Sequence, residues 1–504
     1  VHRPLIAAAL ATIVTAGLAL VVPSVASAGG GPVTYPYPSA SCPSDAGHDL
    51  QDCIDAAAPG DIIQLVAEVL DDETAFITKS LTLTGSGPKP FPRIKGIFIG
   101  DGGPASSIEV TVRDLRLISR LRVGLAEGSD HRVSIDRVSV GIGSTEANVE
   151  IRADVPAHVS LRRSRLHGAD LEQEPVLGLA ATDPDGMVRF DIVGNTIDAQ
   201  GDPQSNSGIE LRAGGDGTVQ TAIHNNVIHH VGTCNCGAAA GITVLPDGPI
   251  RALVDVVANT IHGLKVSGVS QRNDLTGAGH LTLRVLGNIL SHVVLGIRLE
   301  AGAPGSLSYL GGHNDVFASG GVSLDGKPAG AGNVAVDPRF VKPGQNDLRL
   351  RADSPVIDRM PFCPPTGVEQ PDAAGRSRLA GALIDLGAFE RGAAPAPGVA
   401  RTGGSGPDLL VGTSGPDILC GLGGGDELIG KGGADALGGG PGRDLLVGGP
   451  GPDRLQADTG NDTLCGRDGT RANDRVDGGA GSDRGTVDAG DRRISVERTG
   501  GCPS

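Results

Sequence analysis

Aromatic side chains make up only 2% of this 504-residue chain and tryptophan is absent, which removes the stacking platforms that commonly hold sugars or bases. Positive charge is also short. With 42 Lys and Arg against 58 Asp and Glu, the formal net charge is −16, and phosphate binding needs a basic footprint, so a nucleic-acid partner is excluded. No helix-period segment of useful length interrupts the middle of the chain. Beyond residue 28 no apolar run is long enough to span a bilayer, so no stable membrane span is expected. There is no Cys-x-x-Cys spacing, Gly-x-Ser-x-Gly elbow, phosphate loop or His-Glu-x-x-His motif.

What the chain does have is periodicity. Asp408, Asp417, Asp426, Asp435, Asp444, Asp453 and Asp462 follow one another at intervals of nine residues. A glycine stands two positions before each, and Leu410, Leu419, Leu428, Leu437, Leu446, Leu455 and Leu464 stand two positions after. After an insertion near Thr470 the frame resumes at Asp474 with Val476, and again at Asp483 behind Gly478, Gly479 and Gly481. Glycine permits tight turns, the leucine column suits a thin core between two sheets, and the aspartates offer oxygens to a hard cation. Stacked at a strand spacing of about 4.8 Å, such carboxylates repel one another until a divalent ion sits between them. A disordered Gly/Asp-rich tail would not need the leucine column.

The segment 403–488 resembles the RTX, or haemolysin-type, calcium-binding nonapeptide GGxGxDxUx, which forms a parallel β-roll. Complete GGxGxD stretches run from Gly403 to Asp408, Gly439 to Asp444, Gly448 to Asp453 and Gly478 to Asp483. Elsewhere Thr413, Leu422 and Lys431 replace the second glycine, and Ala457 and Asp458 replace the first two, which puts the last sites in doubt. The resemblance implies Ca2+ as cofactor and two repeats per turn, with aspartates two repeats apart sharing ions. Asp408, Asp426 and Asp444 then fall on one edge, and Asp417, Asp435 and Asp453 on the other. Asp462, Asp474 and Asp483 complete the expected metal set.

The first 28 residues read as a Sec-type signal peptide: Arg3, an apolar run from Leu5 to Val22, Pro23, then Ala26-Ser27-Ala28. Val1 reads as a GTG start and, with 35 Arg to 7 Lys, suggests a bacterial chain from a GC-rich genome. An extracellular location suits weak calcium sites and lets the 8 cysteines pair. Cys42 and Cys53 are close enough to staple an N-terminal cap, whereas Cys234-Asn-Cys236 is too short for an unstrained bridge. Cys420 and Cys465 share a repeat position five repeats apart, which places them on opposite sheets of a two-repeat turn and predicts that they do not pair.

The middle of the chain repeats a looser unit. Segments 188–197, 219–228, 252–261 and 281–290 alternate apolar and polar residues as strands with one buried face. Asn195, Asn226, Asn259 and Asn288 sit at equivalent places, at intervals of 31, 33 and 29 residues, and are expected to stack at one corner. A second strand family follows Gly208, Gly241, Gly263, Gly296 and Gly321. The pattern predicts a right-handed parallel β-helix of about nine or ten coils. The opening AAAPGDIIQLV and the closing DPRF, SPVID and DLGAFE strings resemble secreted bacterial β-helix repeat proteins of the choice-of-anchor type.

The expected organisation is therefore all-β: signal peptide 1–28, right-handed parallel β-helix 29–391, linker 392–402, calcium-binding parallel β-roll 403–488 and tail 489–504. The expected function is a secreted calcium-binding scaffold, with an extracellular glycan or cell-surface component as partner and calcium-dependent folding of the repeats. The alternative is a polysaccharide lyase or glycosidase acting on acidic glycans, because one β-helix face aligns Glu210, Thr243, Lys265, Arg298 and Ser323 beside Arg212, Leu245, Ser267, Glu300 and Asp325. Glu210, Arg298 and Glu300 are its candidate catalytic groups. A solvated face with cross-coil ion pairs explains the same columns, and the NTD, DD and GHG signatures of related hydrolases do not occur in order. His224, His229, His230, His262 and His292 cluster near the Asn corner, where a transition metal competes with plain hydrogen bonding as the explanation.

Overall fold

The computed structural model describes residues 31–38, 49–66, 68–87, 89–100, 107–141, 148–168, 174–182, 184–198, 207–231, 240–272, 274–300, 302, 306–392 and 398–502. The expected signal peptide, Cys42, Cys234 and Cys236 lie outside these residues. Three ladders of parallel strands wind through the first two thirds of the chain. One runs from Thr34–Tyr37 through Met187–Val193, Thr218–His224, Arg251–Val257 and His280–Leu286 to Leu307–Gly312. A second holds the short strands Thr196–Asp198, Val227–His229, Thr260–His262 and Ile289–Ser291. The third holds Leu177–Ala181, Ile209–Ala213, Ala240–Gly248, Ser267–Gln271 and Ile297–Leu299. This is a parallel β-helix. Its interior is one continuous stack of Ile, Val and Leu supplied by alternate strand positions.

The corner between the first two ladders explains the asparagine spacing. Asn195 Nδ2 donates to Asn226 Oδ1, Asn226 to Asn259, and Asn259 to Asn288, each at 3.0 Å. Each Oδ1 also accepts a backbone N–H from the coil below, as in Asn226 N to Asn259 Oδ1 at 2.9 Å. The residue before each asparagine turns the chain with positive φ: Gly194 (68°), Asn225 (57°), Ala258 (54°) and Gly287 (68°). Asn314 and Asn333 extend the ladder at 3.0 and 3.3 Å.

One alignment expected from the sequence is corrected. The strand after Gly263 does not form; Ser267–Gln271 pairs instead, with Val269 opposite Ile242. The aligned glycines are Gly208, Gly241, Gly268 and Gly296; a Cβ on the first three would strike a carbonyl oxygen of the next coil, and one on Gly296 would strike the Val316 side chain. Gly263 is a turn glycine with open space. Lys265 therefore leaves the outer column and Ser270 takes its place.

The ladders end with Val322–Ser323 and the Asp315–Val334 bridge, short of residue 391. The DPRF, SPVID and DLGAFE strings form a lateral segment instead. An antiparallel pair, Phe340–Lys342 with Asp347–Leu350, begins it. Phe340, Met360, Phe362, Ile384 and Leu386 then pack on Val227, Val257 and Ile289 of the helix flank and on Ile418 and Ala436 beyond. Arg378 is wholly buried there and donates to Asn225 Oδ1 at 2.5 Å and to the Gly387 carbonyl at 2.9 Å. Cys363 is bonded to Cys420, and Cys465 to Cys502, so Cys420 and Cys465 do not pair. Cys53, in the middle of the helix Leu50–Ala56, is also disulfide-bonded.

Candidate metal centre

Beyond residue 398 successive nonapeptides alternate between two parallel sheets. One sheet contains Ala400–Thr402, Ile418–Cys420, Ala436–Gly442, Arg454–Gly460, Arg475–Asp477 and Arg492–Ile494. The other contains Leu409–Val411, Glu427–Ile429, Leu445–Val447, Thr463–Cys465, Arg484–Thr486 and Arg498–Thr499. Between them lies a core one side chain thick: Leu419, Leu428, Leu437, Leu446, Leu455, Leu464 and Val476 are 0–1% exposed. The strands reach past both expected limits, into the linker at Ala400 and the tail at Thr499.

The aspartates line the two edges where the chain crosses between sheets. On one edge the backbone N–H of Asp408 donates to Asp426 Oδ1, Asp426 to Asp444, Asp444 to Asp462 and Asp462 to Asp483, at 2.8–2.9 Å. On the other, Asp417 donates to Asp435, Asp435 to Asp453 and Asp453 to Asp474, also at 2.8–2.9 Å. One oxygen of each carboxylate thus fixes the stack. The other has a different fate. Oδ2 of Asp426, Asp435, Asp444, Asp453, Asp462, Asp474 and Asp483 is buried and accepts no hydrogen bond from the protein. In Asp408 and Asp417, at the open end, Oδ2 accepts the N–H of Gly404 (2.6 Å) and Thr413 (2.5 Å).

Buried carboxylate oxygens without donors are costly unless a cation faces them. Burial, added to by the neighbouring aspartates, pushes Asp435 up to about 7, Asp453 to about 8, and Asp444, Asp462 and Asp474 to about 6. The cradle is backbone. A Cβ on Gly412, Gly421 or Gly430 would sit on the Oδ2 of the aspartate five residues later and on a glycine carbonyl of the next turn. Oxygen-only donors, both carboxylate and carbonyl, fit a hard divalent ion such as calcium. Residues 402–437 and 438–471 match the family model of the RTX calcium-binding nonapeptide repeat (4 copies).

The C-terminal unit carries RTX calcium-binding repeats. The cofactor of an RTX repeat is Ca2+, which would supply positive charge to the Oδ2 atoms that have no donor. The departures from the RTX pattern are absorbed locally. Leu422, Lys431 and Asp458 adopt positive φ (73°, 79° and 70°) at the second-glycine position, and Ala457 packs into the leucine core. The rungs in which Oδ1 of Asp462, Asp474 and Asp483 accepts a backbone N–H keep the 2.8–2.9 Å of the regular repeats. Sequence reasoning missed the final rungs: Asp491 Oδ1 accepts from Asp474 N at 3.3 Å, and Glu497 Oε2 from Asp483 N at 2.8 Å. Neither keeps the nine-residue frame. Glu497 uses its longer side chain to reach a rung that the shortened last turn leaves without an aspartate.

No curated protein matches the chain. Among the solved structures similar to the chain are pectate lyase Pel9A (14% identity, TM-score 0.33, covering 67% of this chain and 90% of that one) and the PL6 family alginate lyase AlyGC (13%, 0.26, 86% and 73%). The β-helix assignment rests on the strand pairings themselves.

The structure does not unite the catalytic candidates of the β-helix face. Along the ladder Glu210 is followed by Thr243, Ser270 and then Arg298, so Glu210 and Arg298 are three rungs apart. Glu210 is 3% exposed, and its Oε1 accepts from Arg212 Nε at 2.7 Å. Glu300 lies between Arg298 (3.1 Å) and Arg272 (3.7 Å). These are ion pairs along and across coils.

The histidines separate into different settings. His224 is sealed beneath the lateral segment, and desolvation pushes it down to about 3. His262 Nδ1 lies 2.8 Å from Ser291 Oγ, with its ring edge-on to Phe340 and His292. His229 and His230 lie against Asp198 on the neighbouring coil.

Proposed function

We propose that this is a secreted calcium-binding protein in which the β-helix is a scaffold or a surface- or matrix-binding module and the RTX repeats fold when calcium is bound. The observation that carries the reading is the row of buried Oδ2 atoms, from Asp426 to Asp483, that have no donor in the protein. Asp408, Asp417, Asp426, Asp435, Asp444, Asp453, Asp462, Asp474 and Asp483 hold the ions, together with loop carbonyls. In a low-calcium compartment the edges repel and the repeats stay open; outside, ion binding supplies the folding free energy. The signal-peptide pattern of residues 1–28 and the disulfides Cys363–Cys420 and Cys465–Cys502 support an extracellular site of action.

A catalytic role would need a carboxylate or base free to meet a glycan. Glu210, Arg298 and Glu300 are instead engaged with one another or with Arg212 and Arg272, which favours the scaffold. The test is a calcium titration of the full chain followed by far-ultraviolet circular dichroism. Strand signal should rise with calcium and reverse with chelator. A spectrum indifferent to calcium would sink the proposal.

A further inference from the structure

The third residue of each short strand in the second ladder points away from the core, and the register stacks His167, Asp198, His229 and His262 on consecutive coils. Their neighbours Ile197, Ile228 and Ile261 fill the core and fix the backbone, so this outer column is rigidly placed. His230 follows His229 in the left-handed region (φ 57°). That turn brings its ring edge-on to the His229 ring, with centroids 4.9 Å apart.

Three ligand atoms converge as a result. His230 Nδ1 lies 3.1 Å from Asp198 Oδ1, His229 Nδ1 lies 3.3 Å from His230 Nδ1, and His229 Nδ1 lies 3.5 Å from Asp198 Oδ1. A hydrogen-bonded chain needs only two of these contacts, and the third closes a triangle. Zinc binds imidazole nitrogen and carboxylate oxygen at about 2.0–2.2 Å, so tetrahedral ligands stand about 3.3–3.6 Å apart. Two of the observed edges, 3.3 and 3.5 Å, fall in that range and the third, 3.1 Å, is just below it. Among the described residues no other group of three or more His, Cys, Asp or Glu side chains converges in this way.

We propose that Asp198, His229 and His230 form a binding site for one divalent transition-metal ion of the zinc class on the flank of the β-helix. The two imidazoles are borderline donors, and paired with one carboxylate they select zinc, cobalt or nickel over calcium. The site is therefore chemically separate from the oxygen-only edges of the roll. His229 is 5% exposed and His230 has a side chain 47% exposed, so one ligand anchors the ion from within and the other opens it to solvent. The fourth position faces water, where an external ligand can enter. Because Asp198 and His229 belong to consecutive coils, the ion also ties those coils together.

The experiment is a zinc titration of the full chain by calorimetry with calcium kept saturating, so that the roll is filled and folded throughout. One zinc per chain is expected. His230→Ala, which removes a half-exposed ring, and Asp198→Asn should each weaken binding about ten-fold or more while leaving the circular dichroism spectrum unchanged. Cobalt in place of zinc should give visible absorption bands that both variants lose. Absence of zinc binding by the unaltered chain, or equal binding by both variants, overturns the proposal.

Discussion

The smallest unit that determines behaviour is one carboxylate whose two oxygens do different work. Asp435 Oδ1 holds the Asp417 N–H at 2.8 Å, while its Oδ2 is buried without a donor. Asp435→Asn keeps an acceptor for the backbone and removes the charge. It should stabilise the calcium-free roll while weakening calcium binding about ten-fold, read by calcium titrations of the two proteins. The pH dependence follows the same logic. Folded values of about 6 to 8 lie above the ordinary carboxylate value of about 3.9, so protonation stabilises the calcium-free roll. That contribution is complete below about pH 4 and is lost as pH rises through the folded values. Calcium must displace those protons, so its apparent affinity should climb between pH 5.5 and 8, about ten-fold or more. Equal affinities at the two pH values would count against buried, metal-facing carboxylates. Glycine adds a third test. Gly451 has φ 137°, and a Cβ there would collide with the Gly433 carbonyl, whereas a Cβ on Gly406 meets open space. Gly451→Ala should therefore lower the calcium-loaded melting temperature more than Gly406→Ala, at a cost of about 1–3 kcal/mol. The aspartate and leucine columns were legible in the sequence because their spacing never slips. Glu497 was not, since its role depends on a longer side chain in a shortened turn.

At the scale of elements, one corner keeps the coils of the β-helix in register. Asn259 Nδ2 donates to the Ile223 carbonyl at 2.7 Å and to Asn288 at 3.0 Å, and its Oδ1 accepts from Asn226. Asn259→Ala leaves several buried partners unpaired at about 1–3 kcal/mol each, so the urea midpoint of the calcium-loaded chain should fall clearly. The spacing of Asn195, Asn226, Asn259 and Asn288 reveals this corner in the sequence, because their side chains bond to one another and constrain each interval. The third ladder was harder to read. Gly263 and Gly268 both precede apolar residues, and only the close approach of Gly268 to the Gly296 carbonyl selects between them. A one-dimensional pattern does not contain that contact. The histidines beside Asp198 were visible as a cluster, but the triangle that Nδ1 and Oδ1 atoms form depends on the left-handed turn at His230.

Across the whole molecule, the lateral segment joins two stacks that the sequence presents as separate. Its strings look like a closing coil because they are apolar and turn-rich. They pack sideways because Phe340, Met360 and Phe362 cover Val227, Val257 and Ile289, which would otherwise leave an apolar flank exposed. Cys363–Cys420 then fixes this segment to the roll across 57 residues, worth about 4 kcal/mol by chain entropy. Two stacks, one built on apolar burial and one on ion binding, should differ in what keeps them folded. Hydrogen exchange of the full chain, resolved by segment with and without calcium, measures that difference directly. Strands between Ile62 and Leu299 should stay protected in both conditions, while those between Leu409 and Thr499 gain protection only with calcium. Equal protection of the second group after calcium removal would contradict the account.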